Sequence, residues 1–412
     1  MLISAYACEP DKGSEPGVGW NWVVQMARFH ELWVITRATN RALIEKSLAK
    51  EPLPNVHWVY LDLPRWARFW KKGRRGVHLY YCLWQLGAYF RARKLHQQVG
   101  LDLVHHVTFV NYWMPSFLAL LPVPFVWGPV GGGESAPRSF WRGLTLRGKV
   151  YEGLRDLGRS SGRLDPFVRL AAQRAALGLA TTPQTEKRLR ALGSRQVLVF
   201  AEAGMPRRDI EELGALPIRE RGRLRFLSLG RLVHFKGFEL SLRAFARFAR
   251  RCPASEYWIV GDGPERRRLE KLAQNLGLTG KVRFWGMIAR SEALGKLADC
   301  DVLVHPSLHD SGGWVCLEAM AAGRPVICLD LGGPAFQVTE QTGIKVPANT
   351  PEQAVAELAN SMLRLAEDPE LRVRMGEASR QRVKRDFEWG KKGELMHQIY
   401  GGIVTQAGDE AC

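Results

Sequence analysis

The sequence predicts an α/β protein of two domains, each built on a parallel sheet, and three observations carry that expectation. The chain has 412 residues, enough for two hydrophobic cores of about 200 residues and too long for one typical domain. Strand-like runs alternate with helical stretches along most of it, an order that builds βα units around a parallel sheet. Past Phe200, the stretch AEAGMPRRDIEELGALPIRERGR loses apolar periodicity and collects glycine, proline and charge. That places a first domain at 1–205, a linker at 206–222 and a second domain at 223–385. A helical tail, 386–412, is a candidate to cross back to the first domain.

In the first half, strands are expected at Leu2–Tyr6, Leu32–Thr36, His57–Leu61, Leu103–Val107, Pro124–Trp127 and Gly178–Thr182. The loop CEPDKGSEPGVGWNW after the first strand holds Gly13, Gly17 and Gly19, with a helix expected from Trp20 to Phe29. A loop at the carboxyl end of a strand is where open α/β sheets bind ligands, so Gly17 and Gly19 are candidate binding positions. The spacing is not a dinucleotide fingerprint. In LDLVHHVTF the side chains alternate, so His105 and His106 face opposite sides and one of them should look beyond the strand end; either is open, with His106 preferred. In WGPVGGGE, Gly128 and Gly131 to Gly133 allow a ligand close to the backbone, and Glu134 follows.

The second half repeats the alternation. Strand Leu224–Leu229 runs into GRLVHFKGFE, where Gly230 makes the turn and Arg231 and Lys236 place two cations five residues apart. A guanidinium fork and an ammonium point charge flanking such a turn suit a diphosphate. Helix Phe238–Arg250, strand Tyr257–Val260, the turn at Gly261, helix Glu265–Leu276, strand Val282–Trp285 with Gly286, and helix Ser291–Ala298 follow. The stretch PSLHDSGGWVCLEAMAAGRPVICLDLGG then organises the domain. Strand Val302–Val304 breaks at Pro306, passes Asp310, Gly312 and Gly313, and becomes a helix carrying Trp314 and Glu318. The first amides of such a helix lack intrahelical acceptors and point at an anion with the dipole behind them. An ionised Glu318 accepts only, so its natural partners are sugar hydroxyl groups.

Composition bounds the class. With 46% apolar residues and no apolar run near the roughly 18 to 20 needed to span a bilayer, a folded, soluble chain is expected. MLISAYACEP starts as a strand without a signal-peptide pattern, so a cytoplasmic location is expected. The seven cysteines are scattered and never CxxC, which suits buried thiols rather than disulfides or a zinc site; no metal ligand set is expected. Net charge +18 draws polyanions. From Pro64 to Lys94 there are nine Lys or Arg and no acid, interleaved with Trp66, Phe69, Trp70, Tyr80, Tyr81, Trp84, Tyr89 and Phe90. That pattern suits a segment lying on an anionic membrane, a core-facing helix with a solvated basic face, or a single-stranded nucleic-acid platform.

Five motifs keep a fixed order: GRxxxxKG from Gly230, GDGP from Gly261, VRFWG ending at Gly286, the Asp310 to Glu318 stretch, and GGPxxxxxE from Gly332 with Gly343. Together they resemble family 4 of the retaining, nucleotide-sugar-dependent glycosyltransferases. The resemblance implies the GT-B fold, two Rossmann-like domains facing across a cleft. It implies a nucleotide-diphosphate sugar donor, UDP- or GDP-linked, with no permanently bound cofactor. Arg231 and Lys236 would hold the diphosphate, Glu318 the ribose, and the backbone of 312–315 the phosphate and sugar; Val282 to Met287, with Phe284 and Gly286, would line the base pocket. The family carries two glutamates separated by seven residues, with a Phe-Gly pair between them; here Asp310 replaces the first and Gly312 the phenylalanine. The catalytic set expected is therefore Arg231, Lys236, Asp310 and His106, and the binding set Gly17, Gly19, Gly230, Gly261, Phe284, Gly286, Gly312, Gly313, Trp314 and Glu318. The expected acceptor is a saccharide or a polyprenyl- or lipid-linked saccharide in envelope or exopolysaccharide synthesis. Peripheral contact with the inner face of the cytoplasmic membrane would run through residues 64–94, and nucleic acid is not an expected partner. Rival readings are a sugar-nucleotide-binding protein without turnover, or another GT-B enzyme such as an epimerase or a phosphorylase.

Overall fold

The computed structural model describes residues 1–67, 76–217 and 222–409. The chain divides into two compact units: Met1–Gly133, Arg155–Ala203 and the residues from Trp389 onward form one, and Glu134–Leu154 with Gly204–Glu388 the other.

The first unit begins with β1 (Leu2–Ser4), α1 (Ser14–Met26), β2 (Leu32–Arg37), α2 (Arg41–Leu48), β3 (Val56–Leu61), α3 (Val77–Val99), β4 (Val104–His106) and β5 (Phe125–Val130). The unit boundary falls inside α4 (Leu146–Gly162), after which come α5 (Pro166–Arg174), β6 (Ala175–Ala180), α6 (Pro183–Leu192) and β7 (Val197–Val199). The sheet is wholly parallel, in the order β3-β2-β1-β4-β5-β6-β7. Near-continuous apolar strands such as β5, buried at every position, reflect a sheet covered on both faces. Local signals set the helix starts: the Asp165 side chain accepts from the amides of Phe167 and Val168 with Pro166 at the first helical position, and Thr182 caps α6 ahead of Pro183.

Two sequence expectations shift here. The strand expected at Gly178–Thr182 lies at Ala175–Ala180, because Thr182 serves as the α6 cap. Helix α1 starts at Ser14, six residues before the expected Trp20, so Gly17 and Gly19 sit in the helix and not in a loop. A Cβ on Gly17 would lie 2.0 Å from the Lys12 carbonyl oxygen, so α1 packs this closely on the preceding loop only with glycine there.

The second unit holds α7 (Arg207–Gly214), β8 (Arg225–Leu229), α8 (Phe238–Arg251), β9 (Glu256–Val260), α9 (Arg266–Asn275), β10 (Val282–Gly286), α10 (Arg290–Gly295), β11 (Val302–His305), α11 (Trp314–Ala321), β12 (Val326–Leu329), α12 (Gly332–Gln337), β13 (Gly343–Val346), α13 (Pro351–Glu367) and α14 (Pro369–Arg382). Its parallel sheet runs β10-β9-β8-β11-β12-β13. Helix α8 buries Phe238, Leu242, Phe245 and Phe248 along one face, as the 3.6-residue period requires. Of the stretch 206–222, residues 207–214 form α7 and 218–221 lie outside the described residues. Within the tail 386–412, α15 (Trp389–Asp409) packs on α1 in the first unit. There Lys392, buried between the rings of Phe200 and Trp389, donates to the carbonyl oxygens of Ala201 and Ala203 at 2.5 and 2.7 Å.

Within 64–94, residues 68–75 lie outside the described set. On α3, Tyr80, Tyr81 and Trp84 are core residues, whereas Trp66, Leu79 and Phe90 are exposed. Among the described residues no helix is long and apolar enough to cross a membrane, and Cys8, Cys82, Cys252, Cys300, Cys316 and Cys328 are free thiols.

Candidate functional site

In the second unit the strand order reverses between β8 and β11, so their carboxyl ends open side by side, the position at which such sheets hold ligands. The β8 end delivers Gly230 to Gly237, and the β11 end delivers Pro306 to Gly313. These two loops are tied together. The Leu308 amide donates to the Phe235 carbonyl oxygen at 2.8 Å, and Gly237, at φ 67°, lies so close to Pro306 that a Cβ would stand 2.0 Å from its carbonyl oxygen. Only glycine combines that positive φ with that approach.

The pairing brings Lys236 onto Asp310. Lys236 Nζ donates to Asp310 Oδ2, His305 Nε2 meets the same oxygen at 3.1 Å, and the Gly313 amide donates to Oδ1 at 3.2 Å. Burial alone would raise the pKa of Asp310, but Lys236 and His305 outweigh it and hold the carboxyl well below its usual range. Burial lowers the pKa of His305, with Asp310 opposing and Lys236 reinforcing that direction. Asp310 therefore stays ionised and orients both Lys236 and the glycine turn. Behind that turn, Gln337 Nε2 donates to the Gly312 carbonyl oxygen at 2.5 Å.

A cavity of about 240 Å3 opens at the start of the same β8 loop, lined by Gly230, Arg231, Gly261, Met287, Arg290 and Glu318 among others. Arg231 is exposed on its rim. Glu318 is 5% exposed on the second turn of α11, its Oε1 2.7 Å from an Arg290 guanidinium nitrogen. Burial raises its pKa, Arg290 opposes that, and Asp209 adds to it. The cavity thus gathers two cations, one buried acceptor and a second carboxylate, Asp262, which is paired with Arg266. Trp314 opens α11, half-buried, and Gly286 closes β10, its carbonyl oxygen accepting from the Gly261 amide at 2.9 Å. Phe284 packs against the hydrophobic core of the unit, while Met287 and Ile288 line the cavity.

The remaining residues singled out in the sequence lie in the first unit. His105 and His106 face opposite sides of β4, and neither is open to solvent, at 0% and 1% exposure. His105 Nε2 stands 2.6 Å from the Gly128 carbonyl oxygen, an acceptor, so that nitrogen carries the proton and Nδ1 accepts from Tyr400 Oη at 2.6 Å. His106 Nδ1 donates to Ser116 Oγ at 2.9 Å, and its Nε2 accepts from Gln85 Nε2 at 2.9 Å, with Tyr81 Oη at 2.8 Å. Burial lowers both pKa values to about 3. At the same end of that sheet Glu15 accepts from the Phe109 amide, and burial raises its pKa to about 7.

Three groups in these networks escaped the sequence reading. His305 passes for a strand residue, and Arg290 and Gln337 sit in helices whose motifs give no hint of their partners. A histidine directly ahead of the Pro306 break was the one available signal.

The family of glycosyl transferases group 1 matches residues 216–382. A D-inositol 3-phosphate glycosyltransferase of Corynebacterium jeikeium (strain K411) is 32% identical over 180 residues, 42% of this chain and 42% of that protein, so the match spans under half the length of that relative. Sucrose-phosphate synthase (tll1590) from Thermosynechococcus elongatus shares the fold over 98% of both chains, with TM-score 0.61 and 23% identity. Anabaena Alr3699/HepE, solved in complex with UDP and glucose, shares it over 97% of this chain and 99% of that one, with TM-score 0.58 and 17% identity. Residues 216–382 are thus a glycosyl transferases group 1 domain, in a chain whose two parallel-sheet units give it the GT-B fold.

Proposed function

We propose that the chain is a retaining glycosyltransferase whose second unit binds a UDP- or GDP-linked sugar and whose acceptor is a saccharide or a polyprenyl- or lipid-linked saccharide. The observation that carries this reading is the convergence at the β8 and β11 ends: Arg231, Arg290 and Glu318 line one cavity, and Lys236, on the same β8 loop as Arg231, is fixed by Asp310 of the β11 loop. In this reading the hard step is departure of the nucleoside diphosphate, on which negative charge grows. Lys236 and Arg231 stabilise that charge, assisted by the first-turn amides of α11, and Asp310 positions Lys236 rather than touching the sugar. Glu318 accepts from the ribose hydroxyls, which compete with Arg290 for its carboxylate. His106, enclosed and neutral, orders the Ser116 segment of the first unit. The UDP complex of the Anabaena neighbour supports a nucleotide donor. Peripheral membrane contact through residues 64–94 belongs to the same reading, with Trp66 at 78% and Phe90 at 63% exposure as its apolar contacts.

The test is donor hydrolysis and transfer across a panel of UDP and GDP sugars, with nucleotide binding measured in parallel. Turnover of one donor supports the assignment. Binding without turnover makes this a sugar-nucleotide-binding protein, and neither binding nor turnover removes the reading altogether.

A further inference from the structure

In the second unit, α4 presents its polar face inward and its apolar face to water. Gly148, Tyr151 and Glu152 face the loop that carries Lys236. A Cβ on Gly148 would meet His234 Cγ at 3.2 Å, and the Tyr151 ring stands 5.3 Å from the His234 ring. Glu152, 1% exposed, accepts from His234 Nε2 at 3.1 Å and from His309 Nε2 at 3.0 Å. On the opposite side Leu146, Val150 and Leu154, spaced one helical turn apart, are 79%, 54% and 65% exposed. Lys149 is exposed beside them.

A second, independent feature adjoins this stripe. A groove of about 1020 Å3 runs between the segment Arg138–Thr145 and α8. Six arginines line it, Arg138, Arg142, Arg243, Arg247, Arg250 and Arg268, against the three acids Glu239, Glu265 and Glu352. Glu239 and Glu265 are taken by Arg243 and Arg268. Arg138, Arg142, Arg247 and Arg250 form no ion pair among the described residues, and the floor beneath them is apolar, with Phe140, Phe238 and Leu269. The groove wall ends at Thr145 and the stripe begins at Leu146.

We propose that this face docks on an anionic lipid bilayer, with Leu146, Val150 and Leu154 entering the acyl boundary and the unpaired arginines holding lipid phosphates. Charge complementarity selects that occupant. Two copies of so basic a surface repel each other, and the three aliphatic side chains, which dominate the exposed face beside the half-exposed Tyr151 ring, suit acyl chains rather than the flat faces of bases. The residues involved are other than 64–94, and the proposal does not depend on the donor assignment, because its readout is binding and not turnover.

The test is flotation of the purified chain with phosphatidylcholine vesicles, with and without phosphatidylglycerol, at low salt. The wild type floats only with the anionic vesicles. Leu146→Ser/Val150→Ser/Leu154→Ser, and separately Arg142→Glu/Arg247→Glu, each lower the bound fraction about tenfold or more while the melting temperature holds, since every substituted side chain is exposed. The proposal is overturned by a wild type that does not float, or by a serine variant that floats like wild type. Binding abolished by Trp66→Ser/Phe90→Ser and untouched by the α4 changes also overturns it. So does a wild-type dimer that the serine variant dissolves, which would assign the stripe to a second copy.

Discussion

Lys236→Met separates the two jobs that the Lys236–Asp310 pair performs. Both side chains are 18% exposed, so the ion pair is largely shielded from water. Removing one partner of a buried pair costs about 3–5 kcal/mol, because the charge left behind has neither water nor a counter-ion. The residual exposure argues for the lower end, about 3 kcal/mol, which in a unit of this size lowers Tm by about 6–12 °C. The deficit should narrow as pH falls. Burial lowers the His305 pKa and Lys236 reinforces that; without Lys236 the lowering is smaller, so the variant loses less stability to His305 than wild type does as pH drops. Turnover should fall about 100- to 1000-fold, equivalent to about 3–4 kcal/mol of transition-state stabilisation. The double variant Lys236→Met/Asp310→Asn removes both charges and should return to within about 1 kcal/mol of wild-type stability without regaining turnover. Scanning calorimetry and steady-state rates on the same preparations check both halves. A double variant that recovers turnover along with stability, or a single variant with near-wild-type turnover, would refute the idea that Lys236 acts on the departing diphosphate.

Glu318→Gln should weaken nucleotide binding by about ten- to a hundredfold in titration calorimetry, the worth of a hydrogen bond to a charged acceptor; unchanged affinity would take the ribose contact away from Glu318. For His105 and His106 the folded pKa of about 3 lies below the ordinary value of 6.5, so between those values the unfolded chain takes up protons that the folded chain refuses, and stability drops as pH falls. Glu15, raised to about 7, opposes that loss between pH 7 and 4.5; a His106→Gln variant should show a shallower decline of Tm between pH 6.5 and 4 than wild type. Lys392, lowered from 10.5 to about 7 by burial, gives the opposite end of the profile: the unfolded chain binds the extra proton between those values, so stability should rise by about 2 kcal/mol from pH 7 to 9, a rise absent in Lys392→Met.

Short, near-continuous apolar runs exposed most of both sheets in the sequence, and glycines at strand ends marked where the candidate site would open. β7 and β13 were missed because each is short, three and four residues, and β13 is interrupted by Gly343 and Lys345, so neither rises above its surroundings in a sequence window. The site was legible at Arg231, Lys236, Asp310 and Glu318, whose chemistry and order are unusual enough to stand out. What the sequence concealed is which of them are already bonded. Asp310 reads as a group for the sugar, yet Lys236 and His305 occupy it, and that follows only once Gly237 has packed against Pro306 and drawn the two loops together. His106 has the same character: a strand-end histidine looks available until Ser116, Gln85 and Tyr81 are seen to enclose it.

Helix α4 shows why periodicity fixes a helix's two faces without fixing which one is buried. The apolar stripe Leu146, Val150 and Leu154 would normally be placed against the core. Two local facts turn it outward. Gly148 lets the helix pack tightly on His234, where a Cβ would stand 3.2 Å from the ring, and Glu152 finds two histidine donors on the inner side. A carboxylate buried to that degree is costly unless it is bonded, and here it is bonded. The outward stripe forgoes burial worth about 1.5–3 kcal/mol for each of three side chains. That amount is large against the few kcal/mol by which a unit is stable. A surface holding so much unrealised free energy beside four unpaired arginines has a simple resolution in a partner that is apolar inside and anionic at its rim, and serine substitution along the stripe should therefore lower vesicle binding about tenfold or more without lowering Tm.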